Sequence, residues 1–294
     1  SPALAHAQHY RYTTLNNNGD STFNQLLGIN NSGVIAGYFG SGAQGHPNQG
    51  YLLFPQYFQN YFAANNYPGA VQTQAIGIND GGVLVGFWSD QNTQSGVNDN
   101  FGFYKQHGKF VNVNFPTSDN STPPTNQLLG VNDSNVAVGF YNDSGGASHG
   151  YTYDINRHSF HLISVPGDVT SDTAAAINNR GDIAGFATIN GNTVGFVLTR
   201  HGKFITFAKQ GATMTQAFGI NDEGVVAGTY TVGSGTGAKT HGFTWTVAHG
   251  FTKVNDPNGV GTTVVNGIND NGDLVGFYTD GAGNVDGMLV TPSH

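Results

Sequence analysis

No cysteine occurs in the 294 residues, glutamate occurs once (Glu223), methionine twice, and lysine plus arginine only ten times. Each scarcity removes a class of protein. Without cysteine there is neither a disulfide framework nor a thiol nucleophile. With charged residues at 10% of the chain against a usual 25% or so, the residues that fill amphipathic helices are missing. A single glutamate excludes the paired glutamates of a glycosidase. No apolar run reaches the roughly 18 residues of a membrane span. The net charge of -8 argues against a nucleic-acid backbone or an anionic membrane as partner.

What the chain has in excess is glycine, 44 residues, together with 20 Phe and 13 Tyr. Aromatics in this number can build a core, so the chain is expected to be folded, glycine-punctuated and all-β. The opening Ser1-Pro-Ala-Leu-Ala-His-Ala7 has the small-residue A-x-A pattern of the end of a secretory signal. Residues 1–8 are therefore expected to be a signal-peptide remnant or an arbitrary Ala-rich tail, on a secreted bacterial protein.

Internal repetition decides the fold. Gly28-Ile-Asn-Asn-Ser-Gly-Val-Ile-Ala-Gly37 recurs as Gly77–Gly86, Gly130–Gly139, Ala176–Gly185, Gly219–Gly228 and Gly267–Gly276, at intervals of 43 to 53 residues. Each copy reads as a hairpin. Its Asn-Asp-x-Gly segment suits a type I turn followed by a left-handed residue, and that position is held by Gly33, Gly82, Asn135, Gly181, Gly224 and Gly272. Asparagine is the one other residue that visits this conformation readily.

Two more strands follow in each copy. The third starts at a glycine before an aromatic or apolar residue, as in Gly50-Tyr51, Gly102-Phe103 and Gly287-Met288, and the fourth follows turns such as His107-Gly-Lys-Phe-Val. Four strands per 40 to 50 residues is a propeller blade. The last copy lacks room for a fourth strand, and His9–Leu15 is a lone strand before the first hairpin. The expectation is a single all-β domain over residues 9–294. It is a six-bladed β-propeller of four-stranded blades, with hairpins starting near 24, 73, 126, 172, 215 and 263, and residues 9–15 form the outer strand of blade six.

The hairpin followed by Ser148-His-Gly-Tyr151 and Thr240-His-Gly-Phe243 resembles the bacterial extracellular HAF repeat family, named for a His-Ala-Phe at this place. Here glycine replaces the alanine, and the histidine occurs only in blades three and five. The resemblance spans nearly the whole chain; it implies secretion and a β-rich repeat, and carries no catalytic residues across.

One end of the disc is uniform, with Asn-Asp-x-Gly and His-Gly turns. The other carries the variable loops Phe39–Gln49, Ser89–Asn100, Asn142–Ser148 and Pro116–Thr125. A site is expected at that variable end, around the channel mouth. After each second-strand glycine stand aromatics, of which Phe39, Trp88, Tyr141, Tyr230 and Tyr278 form either a stacking platform for sugar rings or interblade core. Gln25, Gln74, Gln127 and Gln216 form a near-ring that either binds a polar neutral ligand or holds water.

Asp90, Asp143 and Asp280, each four residues past that glycine, are either ligands for Ca²⁺ or turn residues. His149, His241 and His46, with Tyr141 and Tyr230, are the candidates for proton abstraction. Three functions compete. The first is a monomeric, secreted, lectin-like binder of a polysaccharide or other glycan. The second is a polysaccharide lyase or related enzyme using those histidines, and the third is an interaction scaffold without a small-molecule site.

Overall fold

The computed structural model describes residues 9–293, so the expectation for residues 1–8 lies outside the described residues. The fold is all-β, with 24 strands arranged as four-stranded antiparallel units. In the first unit the strands are Asn24–Ile29, Ile35–Phe39, Gln49–Leu53 and Phe62–Ala64, in that spatial order. The later units begin with Gln72–Ile78, Asn126–Val131, Val169–Ile177, Met214–Ile220 and Val264–Ile268. In the last, Tyr10–Thr14 pairs with Val285–Pro292 as the outer strand. Units four and five are joined by one parallel bridge, Thr193 to Met214, and among the described residues no sheet closes on itself.

The core lies in the seams between units. Ala36 packs with Ala75, Leu84 and Phe103 across the first seam, and Val85 and Tyr104 with Leu128 and Tyr151 across the second. Leu26, Ile35 and Tyr51 of unit one meet Val275 and Leu289 of unit six. Second strands are buried on both faces, which is why they read as unbroken small and β-branched apolar runs. The third-strand residues Tyr51, Phe103, Tyr151, Phe196, Phe243 and Met288 are fully buried, each opposite a second-strand glycine, and at Gly86, Gly185 and Gly228 the facing phenylalanine ring covers the space a side chain would occupy.

The first strands carry the same irregularity in every unit. Pairing slips between Leu26 and Gly28, Ala75 and Gly77, Leu128 and Gly130, Ala174 and Ala176, Ala217 and Gly219, and Val265 and Gly267. A bulge re-aims the extra residue. Here the extra residues are Leu27, Ile76, Leu129, Ala175, Phe218 and Asn266, and all six line the central axis.

The turns do more than reverse the chain. The left-handed position has φ of 80° to 88° at its five glycines and 59° at Asn135. Within each turn the asparagine Oδ1 accepts from turn backbone N–H groups, as Asn132 does from Ser134 and Val136. Its Nδ2 donates to the backbone carbonyl of the matching asparagine in the next unit. Asn30 donates to Asn79, Asn79 to Asn132, Asn132 to Asn178, Asn178 to Asn221, Asn221 to Asn269, and Asn269 back to Asn30, all at 2.9 to 3.2 Å.

Candidate functional site

At the uniform end, a second circuit surrounds the axis. The backbone N–H groups of Asn31, Asp80, Asp133, Asn179, Asp222 and Asp270 each donate to the side-chain Oδ1 of the next member, returning to Asn31. Asn31 Nδ2 bridges Asp80 and Asp270, and Asn179 Nδ2 bridges Asp133 and Asp222. The two remaining neighbours are carboxyl against carboxyl. Burial first, and then the adjacent Asp80 or Asp222, holds Asp133 and Asp270 above the ordinary carboxylate range. A raised folded-state value contributes stability that is complete below the unfolded value of 3.8 and is lost as pH rises through the folded value. Thermal melts between about pH 4 and 7 are expected to show a shallower fall in the Asp133→Asn/Asp270→Asn variant than in the parent. Equal slopes would remove these pairs as the cause.

The variable end is different in kind. Loops 39–47 and 90–100, segment 121–125 and the Asn142–Gly146 turn surround a cleft of about 820 Å³ over units one to three. Its walls are amides and hydroxyls: Asn48, Gln72, Thr93, Asn98, Asn100 and Ser121 are among them, and no lining residue is ionisable. The loops brace one another, since Asn92 Nδ2 donates to Gly42 O and Ala43 O while Gly45 N–H donates to Asn92 Oδ1. Gln44 and Gln94 project from the rim with no hydrogen bond to the protein.

Below the cleft the axis widens into a shaft of about 410 Å³. Gln25, Gln74 and Gln127 line it, and each is tied to the wall. Gln74 Nε2 donates to Asn48 Oδ1 at 2.9 Å, Gln127 Nε2 to Asn100 Oδ1 at 2.7 Å, and Gln25 Oε1 accepts from Tyr38 OH at 2.7 Å. Gln216, the fourth of the expected series, is not part of the lining.

The expected aromatic platform is corrected. It is the first aromatic after each second-strand glycine, Phe87, Phe140, Phe186 and Phe277, that lines the shaft. The following residue takes the opposite face of the strand and enters a seam. Tyr141, Tyr230 and Tyr278 are 8%, 3% and 3% exposed. Tyr141 stacks on Phe115 at 4.2 Å and Trp88 on Tyr67 at 4.5 Å, while Phe39 packs beside Tyr51 and Tyr278 OH meets Thr14 Oγ1 at 2.7 Å. None of the five lines the cleft or the shaft.

The aspartates are not brought together. Asp143 Oδ1 accepts from Gly145 and Ala147 N–H, and Asp280 Oδ1 from Ala282 and Asn284, so both shape turns. Asp90 hydrogen-bonds Asp99, which raises its pKa. Among the described residues no group of three His, Cys, Asp or Glu could hold a metal ion, which corrects the Ca²⁺ reading of these three residues.

The histidines also stand apart from the cavity. His149 Nε2 lies 2.8 Å from Asp143 Oδ2, its ring stacked on Tyr141 at 5.2 Å; this contact is the main reason Asp143 titrates below the ordinary range. His241 lies tilted against Tyr230 at 5.1 Å, and burial, then Lys253, lowers its pKa. His46 is exposed in its loop. Neither histidine–tyrosine pair lines the cleft or shaft, and the three histidines lie in three different units.

Among the described residues no helix is long and apolar enough to cross a membrane. No family model matches the sequence, and no curated protein matches it. Solved structures do resemble the chain. Virginiamycin B lyase from Staphylococcus aureus is similar with a TM-score of 0.51 at 10% identity, over 95% of this chain and 88% of that one. Aleuria aurantia lectin, in complex with Fucα1-6GlcNAc, gives 0.52 at 9% identity, over 90% and 91%. A variant of AofleA from Arthrobotrys oligospora gives 0.52 at 9% identity, over 97% and 93%. At such identities the likeness shows the fold alone: all-β and propeller-like.

Proposed function

We propose that this chain is a six-bladed β-propeller, closed through Tyr10–Thr14, that binds neutral carbohydrate in the cleft at its variable end. The observation that carries the reading is the lining: amide and hydroxyl groups on a rigid frame, with no charge. Such walls match the donor and acceptor pattern of sugar hydroxyls and offer nothing to a strongly charged ligand. The fold it shares with a lectin solved in complex with Fucα1-6GlcNAc is consistent with this use. An extracellular location accords with the repeat resemblance. The lyase alternative rests on the Asp143–His149 contact alone, and that contact faces neither cavity.

An array of neutral oligosaccharides is the direct test, followed by titration calorimetry of the best hit at two salt concentrations. With no charge in the lining, affinity is expected to change less than about twofold on raising salt from 0.05 to roughly 0.5 M. The Gln44→Ala/Gln94→Ala variant, which removes two side chains free of structural bonds, is expected to lose about tenfold. Absence of any neutral hit, or a steep loss of affinity with salt, would overturn the reading.

A further inference from the structure

The cleft and the shaft share walls: Gln74, Phe87 and Gln127 line both, so one space runs from the polar loops down the axis. Its chemistry changes with depth. Around the bulges lie Leu27, Ile76, Leu129, Ala175 and Phe218, with Asn266 the one polar member of that level. Above them the phenylalanines Phe87, Phe140, Phe186 and Phe277 form a collar, Phe186 edge-on to Phe218 at 5.7 Å.

The neck glutamines are held back against the wall, one amide atom of each bonding to Asn48, Asn100 or Tyr38. A ligand passing them breaks none of these three bonds. Further down, the first strands crowd together: a Cβ on Gly28 would lie 2.2 Å from Ile76 O, and one on Gly77 would lie 3.0 Å from Gly130 Cα. The axis there narrows to a space of about 70 Å³ lined by Ile29, Ile78, Val131, Ile177, Ile220 and Ile268. The shaft is thus an apolar well with a polar mouth and a constricted floor.

Resting on the carbohydrate reading of the cleft, we propose that the ligand is amphipathic: a neutral sugar bearing a single alkyl or acyl chain, its hydroxyls in the cleft and its chain in the shaft. Apolar cavities of this kind hold water poorly and take apolar guests. Each methylene moved from water into the shaft strengthens binding about fourfold.

The test is calorimetry with methyl, butyl and octyl β-D-glucopyranoside, all below their micelle concentrations, with octan-1-ol as the sugar-free arm. Affinity is expected to climb from methyl to octyl, by up to roughly two hundredfold between butyl and octyl. Leu129→Asn copies the residue that unit six already carries at this level, and Ala175→Phe plugs the shaft. In either variant, once its melting curve shows a folded protein, the octyl-to-methyl ratio is expected to fall at least tenfold.

The outcomes separate the two claims. Methyl, butyl and octyl glycosides binding within about threefold of one another would overturn the shaft proposal and leave the cleft reading standing. Octan-1-ol binding as tightly as the octyl glycoside would keep the shaft and overturn the sugar reading. Binding by none of the four would overturn both.

Discussion

Replacing Gly139 by alanine is expected to cost about 3–5 kcal/mol, a large part of the roughly 5–15 kcal/mol that stabilises a typical domain. The reason is position rather than backbone freedom. A Cβ there would stand 1.9 Å from the carbonyl oxygen of Gln127 and 3.1 Å from Leu128 Cα, both main-chain atoms of the adjoining strand. Main-chain atoms cannot swing aside as a side-chain tip would, so the hairpin must part or the neighbouring bulge must flatten. The same approach recurs at Gly86, Gly185 and Gly276, where the distance to the facing carbonyl is 1.9 to 2.0 Å. Gly82→Ala is the control. Its φ is +83° with nothing within 4 Å, so only the left-handed penalty of about 1–2 kcal/mol applies. Urea denaturation of both variants measures the difference, and equal costs would refute the close-approach account.

Asn132→Ala is expected to be comparably damaging, at about 3–5 kcal/mol. Three bonds go at once: the Nδ2 donation to Asn178 O at 3.1 Å, and the two turn N–H groups of Ser134 and Val136 that its Oδ1 accepts. The Asn178 carbonyl is buried, so water does not replace its lost donor, while the N–H groups of exposed Ser134 and half-buried Val136 keep only what solvent they can reach. Asn132→Asp separates the two roles. An aspartate keeps the turn acceptors, loses the donor and sets a negative oxygen against the Asn178 carbonyl. Its deficit is therefore expected to shrink at acid pH, when the carboxyl regains a proton to donate. A variant with parental stability at every pH would show that the circuit contributes nothing.

The turns were readable because φ above zero is a local demand that few residues meet, and Asn135 satisfies it as the glycines do. The pairing of Tyr10–Thr14 with the last unit followed from simple strand counting. The variable loops were readable as the varied end of the fold, and the same four segments surround the cleft. Two things were hidden. The asparagine's turn-capping oxygen accounted for its presence, so nothing in the sequence called for a second role for Nδ2. The face of the aromatic pairs stayed open because alternation gives two sets without saying which one faces the axis. A signal did exist: Leu26-Leu27, Ala75-Ile76 and Leu128-Leu129 place adjacent apolar residues where strict alternation would allow one, and each marks a bulge.

The asparagine circuit has a sense of rotation. Every Nδ2 gives one N–H to the following unit, from Asn30 through Asn269 and back, while Asn178 and Asn269 also donate to Asp182 and Asp273 of their own turns. Bonds chained head to tail polarise one another, so each is strengthened by its neighbours. Helix dipoles aligned along one axis add to leave partial charges at the two ends. Dipoles laid tangentially around a circle cancel instead. Six buried amides therefore lock the units together while adding almost no field of their own along the axis.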